Sequence, residues 1–93
     1  MTITRINQFE ARKGFEDELF EFLRSVISII QSSPGCKSWR LLRSLDGPTH
    51  LAIIEEWESI EAHKNAAKAI PPEKMKEAMT LFAGPPTGTY YKA

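Results

Sequence analysis

The stretch LAIIEEWESIEAHKNAA, residues 51–67, changes its period at Trp57. Leu51 to Ile54 is a continuous apolar run. With His50 before it and Glu55-Glu56-Trp57 after it, the run reads as a strand buried on both faces. From Ser59 the composition turns to alanine, lysine and glutamate. A serine side chain can accept from the free N–H groups of a first helical turn, and Glu61 suits the positive end of the helix dipole. The stretch is therefore a strand over 50–57 followed by a capped helix from Ser59 to about Ala69. Adjacent strand residues point to opposite faces, so Glu55 and Glu56 cannot act together at one site.

The flanking segments fit around this junction. Upstream, Cys36 to Ser44 alternates Trp39, Leu41 and Arg43 against Ser38, Arg40 and Leu42. Asp46-Gly47-Pro48 is a turn signal, so this strand and the next form a hairpin. Earlier still, Phe15, Leu19, Phe22, Leu23, Val26, Ile29 and Ile30 recur at steps of three and four, which predicts an amphipathic helix over 15–31. Ser32-Ser33-Pro34-Gly35 ends it. Residues 2–11 alternate again as a first strand, with Ile3, Arg5, Asn7 and Phe9 on one side. Downstream, Pro71-Pro72 breaks one helix and opens another, because proline is tolerated in a first turn. Met75, Ala78, Met79 and Phe82 give that helix an apolar stripe. Gly84-Pro85-Pro86 stops it, and 87–92 reads as a last short strand.

The order is β-α-β-β-α-β with the second helix split by prolines. It predicts an α+β, ferredoxin-like fold with a four-stranded antiparallel sheet, in one domain over 1–93. Helices can cover one sheet face only. The strands carry apolar residues on both: Ile6, Leu42 and Ile54 on one, Phe9, Trp39, Leu41, Ile53 and Trp57 on the other. A second copy of the same sheet is the simplest cover, which predicts a two-fold homodimer.

Bulk properties exclude several classes. Twelve basic residues balance twelve acidic ones, which gives no electrostatic reason to expect nucleic acid or an anionic membrane. The longest apolar stretches fall far short of the ~18 residues of a membrane helix, and the first residues lack the apolar core of a secretory signal. The single cysteine, Cys36, leaves no intrachain disulfide and no C-x-x-C motif, which fits a reducing cytoplasm. No dinucleotide, P-loop, zinc or serine-hydrolase spacing occurs, so nothing predicts a metal or nucleotide cofactor.

A few residues stand out chemically. Asn7 is polar on a face that otherwise holds Ile3 and Phe9. It either bonds a neighbouring backbone group or orients a substrate carbonyl or bound oxygen. Arg5 shares that face, and Glu55 is its candidate partner: an internal ion pair, or part of a clamp for an anionic substrate. His63 lies early in its helix, either solvated or poised to move a proton near neutral pH. Trp57 is core or pocket wall, with an indole N–H that could donate to a ligand. Met75, Met79 and Phe82 could form a soft wall for an aromatic ligand, but their helical spacing favours plain core.

Four segments taken in order, INQFEARKGFEDEL, SSPGCKSWRLLRSLDG, LAIIEEWESIEAH and PPTGTYYKA, resemble the antibiotic biosynthesis monooxygenase family over nearly the whole chain. The resemblance implies a dimeric α+β barrel. It also implies oxidation of a small electron-rich aromatic, such as a quinol, by molecular oxygen without metal, flavin or haem. Asn7 and His63 would be the catalytic residues, with Phe9, Phe22, Trp57 and Phe82 lining the substrate pocket. A haem-degrading branch relies on a first-strand Asn, a helical Trp and a His that ligates iron. Asn7 matches the first, but Ala66 stands near the second position and no histidine follows His63, so haem is not expected. The alternative class is a dimeric barrel that binds a small ligand, or serves a stress or regulatory role, without turnover.

Overall fold

The computed structural model describes residues 2–93. The chain runs β1 (Ile3–Glu10), α1 (Glu16–Ile30), β2 (Cys36–Arg43), β3 (His50–Trp57), α2 (Ile60–Ala67), α3 (Pro72–Leu81) and β4 (Thr87–Tyr91). The strands form one antiparallel sheet in the order β2-β3-β1-β4. This is the ferredoxin-like order expected from the alternating periods.

Helix α1 presents Leu19, Phe22, Leu23, Ile27 and Ile30 to the sheet, all buried. Burying each such side chain is worth roughly 1.5–3 kcal/mol, so this stripe holds the helix in place. Its first turn is acidic (Glu16, Asp17, Glu18), although no side chain caps it. Gly35 follows α1 with φ 89°, a conformation that side chains rarely adopt. A Cβ there would stand 2.7 Å from the Ala62 Cβ, so the same glycine lets α2 approach. Ser59 caps α2 as expected, its Oγ accepting from the Ala62 N–H at 3.1 Å.

Register settles the two faces. Asn7 pairs with Ile53 on β3 and Gly88 on β4; Arg5 pairs with Glu55 and Tyr90; Trp39 pairs with Glu55 on the other side. Directly paired residues share a face, so Arg5, Asn7, Phe9, Ile53, Glu55, Trp57, Gly88 and Tyr90 all look toward the helices. Ile6, Leu42, Ala52 and Ile54 occupy the other face and are half-buried, and Tyr91 beside them is 51% exposed. The Leu51–Ile54 run is thus fully buried only at Leu51 and Ile53.

The last helix departs from its expected stripe. Ala78 and Leu81 are its buried residues, while Met75 and Met79 are 58% and 70% exposed. Pro71 sets α3 off from α2 with an extended backbone, which turns the Ala78–Leu81 side inward. Phe82 lies just past the helix end, also extended. Among the described residues, no helix is long and apolar enough to cross a membrane.

Candidate functional site

A cavity of about 240 Å³ lies between the helix-covered sheet face and the three helices. Phe22, Val26 and Ile27 of α1 form one wall, Ala66 and Ala67 of α2 another, and Phe9, Ile53 and Phe82 much of the rest. Phe9 and Phe82 stack with centroids 5.7 Å apart. In this apolar lining only three side chains are polar: Asn7, Glu55 and His63. Apolar walls with a few convergent polar groups are the usual composition of a small-molecule site.

The three polar groups belong to one network. Asn7 Nδ2 donates to Glu55 Oε2 at 3.0 Å, and Trp57 Nε1 donates to Glu55 Oε1 at 2.8 Å. Arg5 Nε donates to Asn7 Oδ1 at 2.9 Å. His63 Nε2 stands 3.7 Å from Glu55 Oε1, and its Nδ1 is 2.6 Å from the Tyr90 hydroxyl. The His63 ring meets Trp57 and Tyr90 edge-on, and the Arg5 guanidinium lies 4.5 Å from the Tyr90 ring centre. Gly88 makes room for this packing. A Cβ there would run into the Arg5 guanidinium and would stand 2.7 Å from Asn7 Oδ1.

Glu55 is 3% exposed and is the only buried charged residue among those described. Desolvation pushes its pKa above the ordinary carboxylate range, against the Trp57 hydrogen bond, the Arg5 charge and the Asn7 hydrogen bond, which all pull it down. His63 is shifted the other way: burial, then the charges of Arg5 and Lys64, hold its pKa below that of a free imidazole. A carboxyl held up and an imidazole held down sit side by side, and such an environment can move protons near neutral pH.

Asn7, His63, Phe9, Phe22 and Phe82 all line the cavity. Trp57 does not. It is fully buried against Ile30 and Ala66, and its indole N–H goes to Glu55. The pocket-wall reading of Trp57 is therefore corrected to a support behind the carboxylate. The expected Arg5–Glu55 ion pair is also replaced, because Asn7 stands between the two and bonds both. The face-sharing of Arg5 and Asn7 was visible in β1, but their bonding order depends on side-chain reach.

Glu55 entered the sequence reading only as a partner for Arg5, and Tyr90 had no site role there. The signal for Glu55 was its place in the alternating set Leu51-Ile53-Glu55-Trp57, where a carboxylate interrupts an interior face. Tyr90 gave no such signal, since its partner His63 comes from a different element.

The sequence model described as antibiotic biosynthesis monooxygenase matches residues 2–81. No curated protein matches the chain. Many solved structures do. Rv0793 of Mycobacterium tuberculosis is 21% identical, with a TM-score of 0.84 over 100% of this chain and 95% of that one. NE2512 of Nitrosomonas europaea, a protein of unknown function, is 21% identical with a TM-score of 0.82, covering 97% of this chain and 86% of that one. SnoaB of Streptomyces nogalater, a cofactor-independent oxygenase, is 19% identical with a TM-score of 0.83, covering 99% and 92%. At these identities the structures share the fold, and the family follows from the match over residues 2–81: the chain belongs to the antibiotic biosynthesis monooxygenase family.

Proposed function

We propose that the protein is a cofactor-independent monooxygenase that oxidises a small, electron-rich, quinol-like aromatic with molecular oxygen. The observation that carries this reading is the convergence on an otherwise apolar cavity of Asn7 hydrogen-bonded to Glu55, with His63 Nε2 3.7 Å from the same carboxylate. The volume, about 240 Å³, lies below the ~300–1,000 Å³ of pockets for drug-sized ligands, which favours one or two fused rings. The similarity to SnoaB supports the oxygenase class.

In this reading Glu55, as carboxylate, takes the proton from a substrate hydroxyl. Asn7 has a second amide N–H beyond the one given to Glu55 and holds the resulting oxyanion. Arg5, bonded to Asn7 Oδ1, fixes the amide's orientation. The electron-rich anion transfers one electron to oxygen, and the radical pair joins through a new C–O bond to give a peroxide. Loss of water then breaks the O–O bond and the C–H bond at that carbon. The net change is hydroquinone plus O₂ to hydroxyquinone plus water, and the substrate supplies all the electrons. The apolar walls keep water from the intermediates.

A haem reading finds no ready ligand: the cavity's one histidine has Nδ1 on Tyr90 and Nε2 turned to Glu55. We also propose a homodimer through the uncovered sheet face, supported by the apolar patch of Ile6, Leu42, Ala52, Ile54 and Tyr91. The test of the activity is oxygen uptake with a panel of quinols. Uptake that falls sharply in Glu55→Gln and Asn7→Ala supports the reading. Background uptake across the panel, together with measurable aromatic binding, would instead make the chain a non-catalytic ligand-binding barrel.

A further inference from the structure

Deprotonating a substrate inside a cavity leaves a proton that must go somewhere. The bonding around Glu55 restricts the choices. Oε2 accepts from Asn7 and Oε1 accepts from Trp57. A carboxyl has about four acceptor positions, so two remain. Glu55 lines the cavity, and its Oε1 stands 3.7 Å from His63 Nε2. From His63 the contact continues at 2.6 Å from Nδ1 to the Tyr90 hydroxyl. Tyr90 is half-buried on β4, an edge strand of the sheet. These contacts lead from the cavity to the sheet edge through three ionisable or hydroxyl-bearing groups.

We propose that Glu55, His63 and Tyr90 form a proton relay between the cavity and solvent at the β4 edge, which exports the substrate's proton when the oxyanion forms and returns one when the peroxide leaves as water. The inference rests on the monooxygenase reading for its substrate but not for its wiring. Glu55 takes the proton and passes it to His63 Nε2. His63 releases the proton of Nδ1 to the Tyr90 oxygen, and Tyr90 gives its own hydroxyl proton to water. One proton enters and one leaves, and no group changes oxidation state. The return runs in reverse: Nε2 gives its proton back through Glu55 to the departing peroxide oxygen, the Tyr90 hydroxyl gives its proton to Nδ1 and takes another from water, and the ring is again the tautomer with its proton on Nδ1.

The surroundings keep the proton from settling on His63. The titratable or charged groups around Glu55 and His63 are Arg5 of β1, Cys36 of β2, Lys64 of α2 and Tyr90 of β4. Helix α1 contributes only apolar side chains to the cavity, and α3 contributes Met75 and Ala78. The positive charges of Arg5 and Lys64 oppose retention of a proton on His63, so imidazolium is transient. Tyr90 acts through His63 and is a positioning and relay residue. Its ring also carries the Arg5 stacking, which Tyr90→Phe retains.

Two measurements decide the matter. In nitrogen-15 histidine NMR of the protein without substrate, Tyr90→Phe should abolish the single neutral tautomer of His63. Glu55→Gln should lower its titration midpoint. Identical His63 spectra and midpoints in all three proteins would overturn the relay, whatever the activity. In turnover, His63→Ala should lose about 10²-fold in kcat, the lower end for a proton-transfer group. Free imidazole should restore part of that loss, while Glu55→Gln should not respond. Tyr90→Phe should lower kcat and shift the pH profile with KM unchanged. Wild-type kcat and pH profile in Tyr90→Phe would sink the proposal. If no quinol is oxidised at all, the function reading fails, and the NMR result still decides whether the three groups share a proton path.

Discussion

On the helix-covered face of the sheet, Arg5, Asn7 and Glu55 occupy neighbouring positions of β1 and β3; on the opposite face the residues between them are Ile6 and Ile54. The covered face, where apolar residues are expected, buries a carboxylate at 3% exposure. The open face, where polar residues are expected, holds a half-buried apolar patch. Each inversion has a cost. A buried charge without partners is strongly unfavourable, and here Trp57, Asn7 and His63 surround it. An apolar patch left in water favours association. The difference teaches that one strand pair serves two purposes: its inner side chains build a polar site, and its outer ones suit a partner surface.

The comparison can be broken first from behind the site. Trp57→Ala removes the largest fully buried side chain and the hydrogen bond to Glu55 Oε1. It should cost about 3–5 kcal/mol in urea unfolding, the usual range for large aromatics. A loss below about 1 kcal/mol would mean that this end of the core collapses around the gap.

Glu55→Gln tests the inner face chemically. It keeps size but removes the base, so kcat for a quinol should fall about 10²- to 10³-fold while thermal stability holds or rises. The stability effect has a definite pH dependence. Glu55 binds its proton more tightly in the folded protein, because its pKa is raised. That stabilisation is complete below the ordinary glutamate pKa of about 4.3 and is lost as pH rises through the raised value. His63 is depressed, so its contribution is present above about 6.5 and is lost as pH falls through the lowered value. Between about pH 4 and pH 8, Glu55→Gln should remove the downward component and leave the upward one, read as urea midpoints.

The outer face is tested by Ile54→Lys, which places a charge in the middle of the apolar patch. The proposed dimer predicts that the wild type sediments as a dimer and this variant as a monomer. Losing the burial of one isoleucine per protomer is worth roughly 1.5–3 kcal/mol. Oxygen uptake per protomer should change far less than in Glu55→Gln. The smallest effect is expected from Ser59→Ala. The lost cap should cost about 1 kcal/mol and loosen the helix that carries His63.

Much of this was legible along the chain. The alternation at 2–11, the three-and-four spacing at 15–31 and the change of period at Trp57 fix element order, because each depends on neighbours in sequence. Asn7 stood out for the same reason, as a polar residue within a local pattern. Met79 did not follow the pattern: its spacing fits a stripe, yet α3 turns Ala78 and Leu81 inward. Trp57, read as core or pocket wall, is core, and its indole N–H goes to Glu55 and not into the cavity. Both outcomes depend on how an element is rotated against others, which local periodicity leaves open.

The amino-acid sequence by itself determined the order of strands and helices, the division of each strand into two faces, and the family to which the chain is similar. Only the tertiary structure decided that Arg5 reaches Glu55 through Asn7, and that His63 bridges toward Tyr90. It also decided that Gly88 leaves the space those side chains fill. The physical reason is sequence separation. Faces follow from a repeat of two or 3.6 residues, whereas Asn7 and Glu55 are 48 residues apart and His63 and Tyr90 are 27 apart. Their meeting depends on sheet register and helix packing, which form only when the whole chain folds.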